Sequence, residues 1–100
     1  MNFDTNNPFE NNDQTAFIHI RSQQRVGRRY ITTIQGLSEI YDEKKVVKAL
    51  KQYLACNGNT IQHTEYGKVI QLQGDHRKEA GDLLLLEGLA KKDQIKLHGF

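Results

Sequence analysis

Apolar and polar residues follow two different periods along this chain, and a polar stretch comes before both. From Phe17 to Gln23, Ile18 and Ile20 fall on one side and His19 and Arg21 on the other. That period of two predicts a β-strand with one buried face. Tyr30 to Gln35 is rich in β-branched residues and predicts a second strand, closed by Gly36. The period then lengthens. Val46, Val47, Ala49, Leu50, Tyr53 and Leu54 recur at helical spacing, predicting an amphipathic helix from Asp42 to about Ala55. Asp42 is the expected N-cap, and Glu43 suits the positive end of the helix dipole. Asn57-Gly58 is the expected stop, with Gly58 taking a left-handed conformation. Asn59 to Gln62 and Lys68 to Gln73 predict two more strands. A second helix is expected from Gly74-Asp75, with Asp75 as N-cap and Ala80, Leu83, Leu84 and Leu86 as its buried face. Gly81 inside it should cost up to about 1 kcal/mol against alanine, and Gly88 should end it. Ile95 and Leu97 alternate with Lys96 and His98 in a last strand running to Phe100. The order is ββαββαβ. Its economical packing is an α+β two-layer sandwich, with both helices on one face of a five-stranded sheet.

Residues 1–15 have little periodicity and are rich in Asn, predicting a disordered tail ahead of one folded domain over 16–100. The tail holds Asp4, Glu10 and Asp13 and no Lys or Arg. It is therefore −3, and the rest of the chain +5, against a total of +2. A basic body favours anionic partners. The basic charge is concentrated between the first two strands, where Arg25, Arg28 and Arg29 surround Gly27 without an acid among them. A hairpin tip of this kind holds guanidinium groups in water, where they can meet phosphate. Lys44, Lys48 and Lys51 line one side of the first predicted helix, flanked by Lys45.

The remaining chemistry is sparse. Cys56 is the single cysteine, so no internal disulfide is possible and a reducing compartment is expected. A Cys56–His63 dyad rests only on closeness in sequence, and the acids are scattered. His19, His63, His76 and His98 show no metal-ligand spacing, and there is no Walker pattern. No enzyme activity, cofactor or metal is expected. No apolar run approaches the roughly 20 residues that span a bilayer, and no secretory signal is read at the N-terminus.

Several runs together resemble one known family. They are FIHIRSQQRVGRR at 17–29, TTIQG at 32–36, ACNG at 55–58, EYGKVIQLQGDHR at 65–77 and HGF at 98–100. In order and spacing they are similar to eukaryotic translation initiation factor 1. The resemblance implies an α/β sandwich with two helices on one side of a mixed sheet. It also implies a cytoplasmic, non-catalytic protein that binds the small (40S) ribosomal subunit near the P site. Such a factor promotes scanning, opposes pairing at poor start codons and leaves on correct recognition. Carried over by residue, Arg25, Gly27, Arg28 and Arg29 form the loop that contacts ribosomal RNA (18S). Lys44, Lys45, Lys48 and Lys51 form the basic helix. His63, Thr64, Glu65 and Tyr66 form the loop facing initiator tRNA, where Glu65 would repel a phosphate backbone. Asp75, His76 and Arg77 match a run where contacts with other initiation factors are expected. The resemblance implies a monomer away from the ribosome and no membrane partner. Val26 replaces the family's usual Asn beside Gly27, so the turn loses a residue that tolerates positive φ. Arg29 stands where Lys is usual, and His76 where Gln is usual.

Two other classes are weighed against this. Related domains occur in longer reinitiation and recycling factors. The short segment ahead of the domain and the end at Phe100 favour the stand-alone form. A module binding acidic protein partners would use the same cations.

Overall fold

The computed structural model describes residues 17–38, 40–65 and 67–99. The expected tail, Tyr66 and Phe100 lie outside the described residues. Five strands and two helices appear in the expected order. They are β1 (Ile18–Gln24), β2 (Tyr30–Gln35), α1 (Glu43–Leu54), β3 (Gly58–His63), β4 (Gly67–Gln73), α2 (Arg77–Leu86) and β5 (Ile95–Leu97). A short 3-10 turn, Lys92–Gln94, leads into β5.

The sheet order is β3-β4-β2-β1-β5. β1–β2, β2–β4 and β3–β4 are antiparallel, and β5 joins β1 in parallel, so the sheet is mixed. Alternation decides which face is covered. Ile18 and Ile20 of β1, Ile34 of β2, and Ile70 and Leu72 of β4 point to the helices. There they meet Val46, Val47 and Leu50 of α1 and Ala80, Leu83 and Leu84 of α2 in one buried cluster. Ile20, Ile34, Leu50, Ile70, Leu72 and Leu84 are all but fully buried. A buried aliphatic side chain of this size stabilises by about 1.5–3 kcal/mol, so this cluster holds the two layers together.

The helix boundaries refine the sequence reading. Asp42 caps α1 as expected, its carboxylate accepting from the Lys44 amide at 3.0 Å. The left-handed residue after α1 is Ala55 (φ 51°), not Gly58. Gly58 serves closeness instead: a Cβ there would lie 2.7 Å from Leu72 Cδ2 and 3.0 Å from the Gln71 carbonyl oxygen. The N-cap of α2 is His76, without a side-chain cap, and not Asp75. The Asp75 carboxylate is taken by Arg77. Gly88 ends α2 as expected, at φ 70°. Its amide bonds the Leu85 carbonyl, and the Leu89 amide reaches back to Leu84, the two bonds of a Schellman motif. Leu86 and Tyr53, expected in the core, are 72% and 52% exposed, because each lies past the stripe that faces the sheet.

Candidate nucleic-acid interface

β1 and β2 run antiparallel until Gln24 pairs with Tyr30. The five residues between them form a projecting tip. The Arg25 amide donates to the Arg29 carbonyl at 2.7 Å, and the Gln24 side-chain amide donates to the Gly27 carbonyl at 2.9 Å. Gly27 alone in the tip takes positive φ, 72°. Val26 does not, so the replacement of Asn by Val costs the turn no left-handed residue. Val26 is 92% exposed, and Arg25, Arg28 and Arg29 are exposed beside it.

Lys44, Lys45, Lys48 and Lys51 are exposed along α1, as the helical spacing requires. The hydrogen-bond path fixes where this stripe stands relative to the tip. The Cys56 amide bonds Lys51, the Gln73 amide bonds Asn57, and the Gly74 amide bonds Tyr30. The end of α1 that carries Lys51 therefore sits at the same end of the sheet as the base of the arginine tip. α1 lies over β3 and β4, whereas the tip joins β2 and β1. The lateral offset is about two strand spacings, roughly 10 Å.

None of these seven cations forms an ion pair with a described carboxylate. The cations that do are elsewhere. Lys68 meets Glu43 at 3.3 Å, Arg77 meets Asp75 at 3.0 Å, and Lys78 meets Asp82 at 3.4 Å.

His63, Thr64 and Glu65 form the β3–β4 turn at the opposite end of the sheet. The Glu65 amide donates to His63 Nδ1 at 3.1 Å, and Glu65 is exposed. β4 is seven residues long, so this turn and the arginine tip are held roughly 20 Å apart. Under the turn, a cleft of about 460 Å³ is lined by Gln62, Gly67, Lys68 and Glu43 among others. Its carboxylate, Glu43, is already bonded to Lys68.

Asp75, His76 and Arg77 are bound into the fold. Arg77 grips Asp75 through two nitrogens, at 3.0 and 3.1 Å, and donates to the His98 carbonyl at 2.7 Å. That grip holds the Asp75 carboxyl below its ordinary range, against a smaller opposing effect of burial. Thr32, fully buried, donates to the Gly74 carbonyl at 2.6 Å and accepts from the His76 amide at 2.8 Å, fastening the turn to β2. His76 Nε2 meets the Gln73 carbonyl at 2.9 Å. A shallow cleft of about 380 Å³ runs alongside, lined by Asp75, Lys78, Glu79 and Leu97.

Cys56 and His63 flank the two ends of β3, so the strand keeps them roughly 17 Å apart. Partial burial raises the thiol pKa, opposed by Lys51, which disfavours the reactive thiolate. No three His, Cys, Asp or Glu side chains among the described residues converge as a metal site. No described helix is long and apolar enough to cross a membrane.

One pairing escapes the sequence. His19 of β1 and His98, just past β5, meet on the sheet face away from the helices, Nδ1 to Nε2 at 2.9 Å. They are 79 positions apart, and only the parallel β1–β5 pairing brings them together. The runs quoted at 17–29 and 98–100 each hold one of the two, which was the available signal.

The family profile described as translation initiation factor SUI1 matches residues 14–90. Eukaryotic translation initiation factor 1 of Homo sapiens and that of Mus musculus are each 60% identical to this chain over 84 residues. Those residues are 84% of this chain and 74% of theirs. The Drosophila melanogaster eukaryotic translation initiation factor eIF1 is 51% identical, across 100% of this chain and 97% of the fly protein. The C-terminal domain of human eIF2D shares the fold, with a TM-score of 0.68 at 24% identity. That match covers 81% of this chain but 42% of the length of the other. The chain belongs to the SUI1 family of translation initiation factors, the family of eukaryotic translation initiation factor 1.

Proposed function

We propose that this initiation factor works in the cytoplasm by binding the small ribosomal subunit beside the P site. It keeps the subunit competent for scanning, opposes pairing at poor start codons and leaves when a proper codon is found. The observation that carries this reading is the division among its cations. Lys68, Arg77 and Lys78 have carboxylate partners, whereas Arg25, Arg28, Arg29 and the four lysines of α1 have none among the described residues and are gathered at one loop and along one helix. Exposed, unpaired cations at one loop tip and along the adjoining helix suit the phosphate backbone of ribosomal RNA. At the opposite end of the sheet, Glu65 and its neighbours face initiator tRNA and resist its full seating by bulk and by charge. Thr64 and Tyr66 belong to the same proposed loop. The cleft beside Asp75, His76 and Arg77 is the proposed contact for other initiation factors. The mechanism is steric and electrostatic, without bond making or breaking.

The test replaces Arg25, Arg28 and Arg29 together by alanine. The variant should bind isolated small subunits more weakly, with a shallower salt dependence, and should raise initiation at near-cognate codons in a translation extract. Wild-type affinity across salt concentrations would refute the RNA contact. Wild-type fidelity despite weakened binding would refute the role in codon choice.

A further inference from the structure

The sheet face that carries no described helix holds a second cluster of cations, unconnected with the arginine tip or with α1. His19 and Arg21 project from β1, and Lys96 and His98 from β5 and the residue after it. His19 and His98 are half-buried, while Arg21 and Lys96 are exposed. Each is held in place. Arg21 donates to Gln35 Oε1 at 2.9 Å, Lys96 sits over the Phe17 ring at 4.7 Å from its centroid, and the two imidazoles share their 2.9 Å contact with rings 5.2 Å apart.

The charged side chains that project beside the pair on this face are both cationic. β1 contributes Arg21 and β5 contributes Lys96. From β2 the residue paired with His19 is the neutral Gln35. α2 reaches the His98 backbone carbonyl through Arg77, whose charge is already answered by Asp75, and Asp75, Lys78 and Glu79 line the cleft beside His98. No carboxylate is among the groups acting on His19. Burial, then Arg21, His98 and Lys96, hold its pKa below the ordinary histidine value.

A nitrogen-to-nitrogen hydrogen bond needs one N–H and one lone pair, so the intact pair carries at most one proton more than its neutral form. Full protonation would gather four cations on two adjacent strands, and like charges opposed across strands destabilise a sheet. An anion on this face reverses that balance. It screens the repulsion, accepts from both imidazolium rings and favours the second proton.

We propose that the face around His19, Arg21, Lys96 and His98 is a second phosphate-binding surface for RNA, on the layer opposite α1, and that it takes up a proton as it binds. The choice of RNA over other polyanions rests on the proposed function; the surface itself does not use the arginine tip. Bound on both layers, the protein would lie between two RNA segments.

Imidazole signals of His19 and His98 are followed by NMR from pH 5 to 8, with and without a 12-nucleotide oligouridylate. Both titrations should move to higher pH with RNA. In fluorescence anisotropy with the same RNA, wild-type affinity should rise between pH 7.5 and 6. One proton taken up gives at most about tenfold per pH unit. The His19→Gln/His98→Gln variant should lose that rise, its affinity changing little between pH 7.5 and 6. Superimposable imidazole titrations with and without RNA would overturn the proposal. So would an oligoglutamate of equal charge that shifts them as far as RNA does, because the partner would then be an acidic protein. The Arg25/Arg28/Arg29 alanine variant should retain the pH-dependent component, so failure of this proposal and failure of the arginine-tip reading are separately visible.

Discussion

Replacing Gly58 and Gly81 by alanine, one at a time, should change stability in opposite directions, although both glycines adjoin the core. At Gly58 the added Cβ would stand 2.7 Å from Leu72 Cδ2 and 3.0 Å from the Gln71 carbonyl oxygen. Leu72 is fully buried, and Gln71 is in the middle of the sheet, paired with both Asn59 and Thr33. Neither neighbour can give way without moving the core or the ladder. Overpacking of this kind costs about 1–3 kcal/mol. At Gly81 the Cβ would find Ile95 Cγ2 at 3.6 Å, Ile20 Cδ1 at 3.7 Å and Leu97 Cδ2 at 3.8 Å. Those are ordinary van der Waals separations, so the methyl fills space that is already free. It also removes the glycine penalty of a helix interior, about 0.8–1 kcal/mol, and reduces the freedom of the unfolded chain. For a domain of this size, 1 kcal/mol corresponds to about 4–8 °C in Tm. Thermal unfolding followed by circular dichroism should show Gly81→Ala melting about 4–8 °C higher and Gly58→Ala lower by at least as much. A Gly81→Ala protein that melts below wild type would mean that α2 and β5 are packed more closely than these separations. A neutral Gly58→Ala would mean that β3 and β4 can part without cost.

Three further outcomes follow from the structure. Thr32→Val keeps the shape but strands the Gly74 carbonyl and the His76 amide; both are only partly buried, so each orphan should cost toward the low end of about 1–3 kcal/mol, and urea unfolding should show a loss of about 2–4 kcal/mol. Asp75 has a depressed folded pKa, so its ion pair contributes fully above the ordinary aspartate range and is lost as pH falls through the lower folded value. Asp75→Asn should therefore be less stable than wild type near neutrality and converge with it in acid, read from denaturation midpoints across pH. Lys44→Gln/Lys48→Gln/Lys51→Gln should leave the melting temperature near wild type, since no described carboxylate is lost and like-charge repulsion along α1 falls. It should also flatten the log-affinity against log-salt slope for subunit binding by about 2, from roughly 0.7–0.9 per phosphate contact.

Local pattern was enough for most of the fold, because strands and helices announce themselves by period. Ile18 and Ile20 against His19 and Arg21, and the Val46–Leu50 stripe, needed no tertiary knowledge. The misreadings came where tertiary contact overrides a local rule. Gly58 looked like a left-handed helix stop because Asn-Gly pairs so often are, but its glycine answers Leu72, a residue fourteen positions on. Asp75 looked like an N-cap, but Arg77 and, through it, His98 claim that turn. The exposed cations were legible as candidates from composition alone. That Lys51 and the arginine tip share one end of the sheet was not, because it depends on the order β3-β4-β2-β1-β5, in which β4 inserts between β3 and β2. The His19–His98 contact depends on the same topology.

The proposed role needs a protein that can be pushed off, and the architecture bears on how. The arginine tip and the His63–Glu65 turn are joined by hydrogen-bonded strands backed by one packed core, so the roughly 20 Å between them does not flex cheaply. A tRNA pressing on the turn cannot be accommodated by local yielding alone. The load passes to the contacts at the other end. In the proposed complex those contacts are exposed cations on phosphate, each individually weak in water and further weakened by salt. A rigid wedge held by many weak contacts leaves as a unit once a competing interaction strengthens. A flexible tether would let the turn bend aside while the tip stayed bound. The arginine tip carries three exposed cations and the turn presents an exposed Glu65, so the proposed RNA contact and the proposed obstruction of tRNA fall on side chains of opposite sign.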